Sequence, residues 1–148
     1  MDREFNDTGA ISFDRDAGGR IREFAPQARY AGATESRLHR YGKGTFCRFK
    51  LLGLPSSSGV YMFLVDNCVV YVGRAIDVRK RFTMGYGNIS PKNCYEGGQQ
   101  TNCRINQLVL GSASAGSDIR ILVHLCDDQA ELEQRLIAHL KPAWNRTT

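Results

Sequence analysis

The 148-residue chain has no apolar run near the ~20 residues that span a bilayer, and its opening MDREFNDTG has neither the basic start nor the apolar stretch of a secretory signal. Membrane-spanning and exported classes are set aside, and a cytoplasmic protein with no membrane partner is expected. No CxxC pair is present, and the five cysteines (Cys47, Cys68, Cys94, Cys103, Cys126) are odd in number and widely spaced. That pattern argues against a disulfide framework and is a poor zinc-ligand spacing, so reduced thiols are expected. No internal repeat is present. His39, His124 and His139 are scattered singly, and none is assigned chemistry.

Acidic groups are scarce where basic ones gather. Residues 20–50 hold eight basic and two acidic groups and residues 74–104 hold six and two, whereas residues 1–19 hold two basic and five acidic. Between the two positive blocks, residues 51–73 carry a single acid. This distribution suits a polyanion-binding face. A solubilising surface fits the composition equally well.

The length suits one domain with a real core. Residues 1–54 read as a basic N-terminal extension. Within it, ISFDRDAGGRIREF alternates on both sides of Gly18-Gly19 as a β-hairpin would, and QARYAGATESRLHRYGKGTF reads as glycine-interrupted loop with one helical turn. LPSSSG at 54–59 punctuates the chain, and residues 55–148 form the main domain. There GVYMFLVDNCVVYVGR (59–74) reads as an apolar hairpin, and AIDVRKRFTM as a short helix with Ile76, Val78 and Phe82 as its apolar set and Asp77 near its start. Residues 84–101 read as a long loop, of a kind that is usually functional in compact domains. A second helix is expected to begin near Thr101 or Asn102, to turn Ile105, Leu108 and Val109 inward, and to end at Gly111 before the polar linker SASAGS. Residues 84–117 together read as an insertion. DIRILVHL alternates as a strand with Ile119, Ile121, Val123 and Leu125 on one face, and a last helix runs from about Asp128 to Leu140 and stops before Pro142.

In that last helix, at ~100° per residue, Leu136, Ile137 and Leu140 define the apolar stripe with Leu132 at its edge, and Glu133 falls inside the same arc. A lone carboxylate is costly to desolvate, so Glu133 needs a partner. An ion pair with an arginine and a metal-ligand role are equally open on the helix alone.

GVY at 59–61, YVG at 71–73, Arg81 ten residues after Tyr71, Glu133 in ELEQRLI and PAWN ending at Asn145 together resemble the GIY-YIG endonuclease family over residues 55–146. The KPxxN ending looks like the nuclease domain of bacterial excision-repair proteins. The resemblance implies an α/β fold of the α+β type, with a small three-stranded antiparallel sheet flanked by helices. It also implies hydrolysis of DNA phosphodiesters with one divalent ion, Mg²⁺ or Mn²⁺, per site. By the same resemblance Tyr61 acts as or assists the general base, Tyr71 lines the site, Arg81 contacts the phosphate, Glu133 binds the metal and Asn145 supports the site.

In-line attack on a phosphodiester needs a deprotonated water, positive charge facing the non-bridging oxygens and relief of charge on the leaving oxygen. Arg81 offers a permanent forked charge for which lysine is a weaker substitute. A phenol, with an ordinary pKa of ~10, needs help to act as a base at neutral pH. Arg74, three residues after Tyr71, cannot be that base and is assigned an electrostatic role. Family members usually carry histidine or tyrosine four residues after the helix arginine, where this chain has Gly85, with Tyr86 one place later. Either the helix end is distorted to present Tyr86, or that function has moved.

The long loop and the N-terminal block are expected to touch DNA flanking the cut, through Lys92, Arg104, Lys43 and Arg48 beside Arg79 and Lys80 of the short helix. The expected function is a metal-dependent DNA endonuclease, restriction-type or stand-alone, acting as a homodimer if it cuts both strands at one position. The alternative is a nucleic-acid-binding module that kept the fold and lost catalysis. A shared site also constrains the hairpin. With a two-residue loop at Asp66-Asn67, Val65 would pair with Cys68, Tyr61 with Val72, and the phenols would face apart. A three-residue loop, Asp66-Asn67-Cys68 with Asn67 left-handed, pairs Phe63 with Tyr71 and brings the phenols to one face.

Overall fold

Apolar and alternating segments become strands, and the periodic ones helices, in the computed structural model of the chain, which describes residues 4–30 and 37–146. The elements are β1 (Asn6–Ala10), β2 (Ser12–Phe13), β3 (Phe49–Lys50), β4 (Gly59–Val65), β5 (Cys68–Ala75), α1 (Val78–Arg81), α2 (Gln100–Ser114), β6 (Ile119–Leu125) and α3 (Gln129–Leu140). 3-10 turns at Pro26–Tyr30 and Pro91–Cys94 and a π-helical turn at Phe82–Tyr86 complete them. Among the described residues no helix is long and apolar enough to cross a membrane. Residues 31–36 of the glycine-interrupted segment lie outside the described residues. Packing divides the chain into two units, one of residues 4–11, 51–81 and 116–146, the other of residues 12–50 and 82–115. Residues 82–115 thus share a unit with most of the N-terminal stretch.

The first unit is a four-stranded antiparallel sheet in the order β1-β6-β4-β5, carrying α1 and α3. This is one strand more than expected. The added strand, β1 (NDTGA), shows no apolar alternation because an edge strand needs only its backbone to pair. Asp7 bonded to Arg120 at 3.1 Å, and Thr8 Oγ1 donating to the Ile121 carbonyl at 2.9 Å, keep that edge polar. Along β6 Ile119, Ile121 and Val123 are buried, while Leu125 at the strand end is exposed.

Val60, Met62 and Val72 on one face of the sheet pack against Leu132 and Leu136 of α3. Burying each such side chain contributes about 1.5–3 kcal/mol. The helix stripe therefore centres earlier than expected: Leu132 is in its middle, and Leu140, in the last turn before left-handed Lys141 (φ 46°), is exposed. The pair of leucines four residues apart that the sheet covers sets that centre.

The hairpin register is reached by an unexpected route. Asp66 and Asn67 form a two-residue turn with positive φ at both positions (50° and 67°), as a type I′ turn requires, and Val65 does pair with Cys68. One extra residue, Val70, then bulges from β5 between the pairs Leu64↔Val69 and Phe63↔Tyr71. Beyond it Tyr61 pairs with Gly73, so Tyr61, Phe63 and Tyr71 share the face turned away from α3. The Val70 carbonyl, left out of the β4 ladder, accepts the Trp144 N–H at 2.7 Å. A bulge, and not the three-residue loop, supplies the odd residue.

Asp77 caps α1 by accepting the Lys80 N–H at 2.9 Å. Of the expected apolar set Val78 and Phe82 are buried, but Ile76, which precedes the helix, is 83% exposed.

The second unit packs Phe46, Ile89, Cys94 and Cys103 with Phe24, Tyr41 and Tyr95 against them. The hairpin about Gly18-Gly19 is present as the bridge Arg15↔Ile21 with Gly19 left-handed (φ 83°), but β2 takes its ladder from β3. Helix α2 runs past Gly111 to Ser114, and the left-handed glycine beyond its end is Gly116 (φ 85°), so half of the supposed linker is helical. Asn106, fully buried on α2, accepts the Cys47 N–H at 2.9 Å and donates to the carbonyls of Cys47 (2.8 Å) and Tyr86 (2.7 Å). Its place between Ile105 and Val109 was the available sequence signal. His39 is also structural: Nδ1 accepts the Tyr41 N–H at 3.1 Å, which leaves Nε2 to donate to the Asn93 carbonyl.

Burial pushes the thiols of Cys47 and Cys103 up to about 12 and raises that of Cys94, whereas Cys68 is exposed beside the hairpin turn. A maleimide or disulfide reagent at pH 8 is expected to label Cys68 in the native protein and to spare Cys47, Cys94 and Cys103 until denaturant is added. Mapping fast native label to any of those three by mass spectrometry would show that the second unit opens in solution.

Candidate active site

Both motif glycines sit where a neighbour approaches too closely for any side chain. A Cβ on Gly73 would stand 2.5–2.6 Å from Cε2, Cζ and Oη of Tyr61, so the Tyr61 ring lies across its own cross-strand partner. A Cβ on Gly59 would stand 2.6 Å from the His124 carbonyl oxygen of the adjacent strand. Tyr61 is fully buried and cannot swing aside cheaply. Gly73→Ala is therefore expected to cost ~1–3 kcal/mol by overpacking and to displace the phenol. A melting temperature equal to that of the unsubstituted protein would show that the ring moves freely.

Tyr61 Oη accepts a long hydrogen bond from Arg81 Nε, 3.4 Å away at the end of α1. Arg74 of β5 bonds Glu133 of α3, Nε to Oε1, at 3.2 Å, with side chains 50% and 21% exposed. Burial raises the Glu133 carboxyl above the ordinary glutamate range, while the charge and hydrogen bond of Arg74 and the charge of Arg81 pull it down; burial prevails. The first unit thus carries two side-chain pairs, Tyr61–Arg81 and Arg74–Glu133, and the charge of Arg81 acts on Glu133. The arginine partner that Glu133 required is Arg74. Such a part-exposed pair contributes little to stability, and Glu133 remains an unfavourable position for the fold.

Tyr71 lies on the Tyr61 face, its ring edge-on to Phe63 with centroids 5.7 Å apart, and Trp144 packs on the same Phe63 at 6.2 Å. Sequence reasoning passed over Trp144, although an aromatic directly before Asn145 was the signal. Asn145 Oδ1 accepts the Val72 N–H and its Nδ2 donates to the Val72 carbonyl, both at 2.9 Å. Its amide stands in for a strand along the outer edge of β5 and reaches the site through Val72.

Arg79 Nε donates to the Leu54 carbonyl at 2.6 Å, and Lys80 is exposed beside it. Lys43, Arg48, Lys92 and Arg104 belong to the second unit, as does Tyr86. Tyr86 is fully buried there, its ring 5.5 Å from that of Phe82. The π-helical turn Phe82–Tyr86, closed by the Gly87 N–H to the Phe82 carbonyl at 2.9 Å, takes up one extra residue.

Among the described residues no three His, Cys, Asp or Glu side chains gather closely enough to cage a metal. What Glu133 offers is one half-buried carboxylate, a donor that fits a hard ion keeping most of its water and taking substrate oxygens. A soft or fully protein-ligated metal does not fit that donor set.

An antiparallel sheet with flanking helices defines the chain as an α+β protein. The same fold occurs in a solved mutant of bacteriophage T4 EndoII, which is 17% identical, with a TM-score of 0.51 over 83% of this chain and 100% of that one. No protein-family model and no curated protein sequence matches the chain.

Proposed function

We propose that this chain is a DNA endonuclease that hydrolyses phosphodiester bonds with a divalent ion, in the manner of GIY-YIG enzymes. The observation that carries the reading is Glu133, a carboxylate kept half-buried at a cost to the fold beside Arg74, in the same unit that bonds Arg81 to Tyr61. The fold shared with EndoII, an endonuclease by name, and the two basic blocks support it. Glu133 would hold the ion, Mg²⁺ or Mn²⁺, which supplies positive charge to the scissile phosphate and an acidified water.

The side chains of this chain do the rest. Arg81 presents its forked guanidinium to the phosphate and keeps the Tyr61 phenol aimed at the same point. Tyr61 would act as the phenolate that the neighbouring Arg81 charge favours, and in taking the proton of the attacking water, directly or through a second water, it would return to the neutral phenol. Arg74 orients Glu133 and balances its charge until substrate arrives. Tyr71 forms part of the wall, and Asn145 holds the strand that carries Tyr71, Gly73 and Arg74. Arg79, Lys80, Lys43, Arg48, Lys92 and Arg104 are assigned the flanking DNA. One site handles one phosphodiester at a time, so a double-strand break at one position calls for a homodimer.

Supercoiled, linear and single-stranded DNA incubated with Mg²⁺, Mn²⁺ or EDTA tests the reading. Cleavage of at least one substrate that stops in EDTA is expected. DNA retarded in a gel but cut under none of these conditions would replace it with the binding-module reading.

A further inference from the structure

The second unit carries two adjoining clefts that the proposed chemistry does not use. One, of about 530 Å³, is walled by Phe24, Pro26, Met84, Ile89 and Pro91; the other, of about 500 Å³, by Phe13, Phe49, Arg15 and Lys50. Arg48 and Asn88 border both, and neither cleft includes Tyr61, Arg81 or Glu133.

Three features describe what would fit. The first cleft is apolar with a ring for a wall, which suits the face of a planar heterocycle and offers a carbohydrate or a peptide backbone little to bond. The second is cationic: Arg15, Arg48 and Lys50 border it, and its one acid, Asp14, is already engaged by Arg22 at 3.7 Å. Between the two, the Arg48 guanidinium is stacked 4.1 Å over the Phe24 ring and donates from Nε to Asn88 Oδ1 at 3.4 Å, which fixes a charge and an amide at the junction. The cleft floor is preformed backbone. Asp14 N–H donates to the Arg48 carbonyl and Phe49 N–H to the Gly87 carbonyl, both at 3.0 Å, and Gly87 is so close that a Cβ there would stand 2.2 Å from the Phe49 oxygen. Both clefts are of small-molecule size. A planar base joined to an anion by a short linker matches this pairing, and a nucleotide is that ligand.

We propose that the two clefts together hold one nucleotide taken out of the DNA stack, with its base against Phe24, Met84 and Ile89, its edge read by Asn88, and its phosphate on Arg15, Arg48 and Lys50. The inference rests on the DNA-nuclease reading for the identity of the polymer and not for its chemistry. Extracting a base from a duplex costs pairing and stacking, and an unpaired nucleotide avoids most of that cost. Stacking on an aromatic wall returns energy that is tolerant of base identity.

Fluorescence anisotropy in EDTA, where no cutting occurs, tests the proposal on two labelled duplexes identical except for one unpaired central nucleotide. The full chain is expected to bind the bulged duplex ~10-fold more tightly. Phe24→Leu, which keeps apolar volume against Phe46 but removes the ring under the Arg48 guanidinium, should shrink that preference below ~2-fold by weakening the bulged duplex more than the paired one. Arg48→Ala should weaken both duplexes and lower the salt dependence by about one released ion. Equal binding of the two duplexes, no binding of either, or a preference that survives Phe24→Leu overturns the proposal. Loss of preference with metal-dependent cutting intact removes the clefts and leaves the nuclease reading. Preference without any cutting removes the nuclease reading and leaves the clefts.

Discussion

Glu133→Gln is expected to abolish metal-dependent DNA cleavage, by at least ~10³-fold, to leave gel retardation of DNA unchanged, and to make the protein more stable at neutral pH. The first effect follows from removing the carboxylate charge that the proposed ion needs, while the amide keeps the shape and still accepts from Arg74. The stability effect follows from the direction of the Glu133 shift. Its carboxyl is raised in the folded state, chiefly by burial, so folding favours the protonated form. The contribution of that group to stability is complete below the ordinary glutamate value of ~4.3, and it is lost as pH rises through the higher folded-state value. A neutral glutamine carries no such loss, so its advantage should appear above that window and vanish at about pH 4. Thermal melts at pH 4 and pH 7.5, beside a cleavage assay, check both. Retained cleavage removes Glu133 as the metal ligand. A lower melting temperature at pH 7.5 shows instead that the pair with Arg74 outweighs burial.

Arg81→Ala carries the second large effect, a fall in cleavage rate of ~10²–10³ at saturating DNA, typical of removing a group that stabilises developing charge. Arg81 is bonded to the Tyr61 phenol and its charge acts on Glu133, so its loss takes away the proposed phosphate contact and the tether of the phenol together. Arg81→Lys should recover part of the rate, since it keeps the charge and loses the fork. A rate loss under tenfold would assign Arg81 to the surface.

Much of this architecture could be read in advance. The hairpin, the last helix before Pro142 and the buried face of DIRILVHL follow from periodicities that burial enforces locally. The edge strand NDTGA could not be read that way, since pairing at an edge asks nothing of its side chains. Gly111 misled for a similar reason: in open space a mid-helix glycine costs only ~1 kcal/mol, which the rest of α2 outweighs.

At the candidate site, residue identities carried the chemical types, and contacts carried their assembly. Glu133 stood out because a charge on an apolar arc needs a partner, but the helix alone did not say which group supplies it. That Arg74 does so is decided by the register of β5 against α3.

The sequence alone determined the central hairpin, the strand DIRILVHL and the existence of the helices, which chemical groups they carry, and that Tyr61 and Tyr71 need an odd offset to share a face, because these depend on local periodicity and on the valence of side chains. Tertiary structure alone decided that the odd residue is a bulge at Val70 whose carbonyl Trp144 takes, that Gly73 is vacant to admit the Tyr61 ring, and that Arg81 bonds Tyr61 while Arg74 bonds Glu133. Those features are close approaches between residues far apart in the chain, set by the packing of whole elements and encoded at no single position.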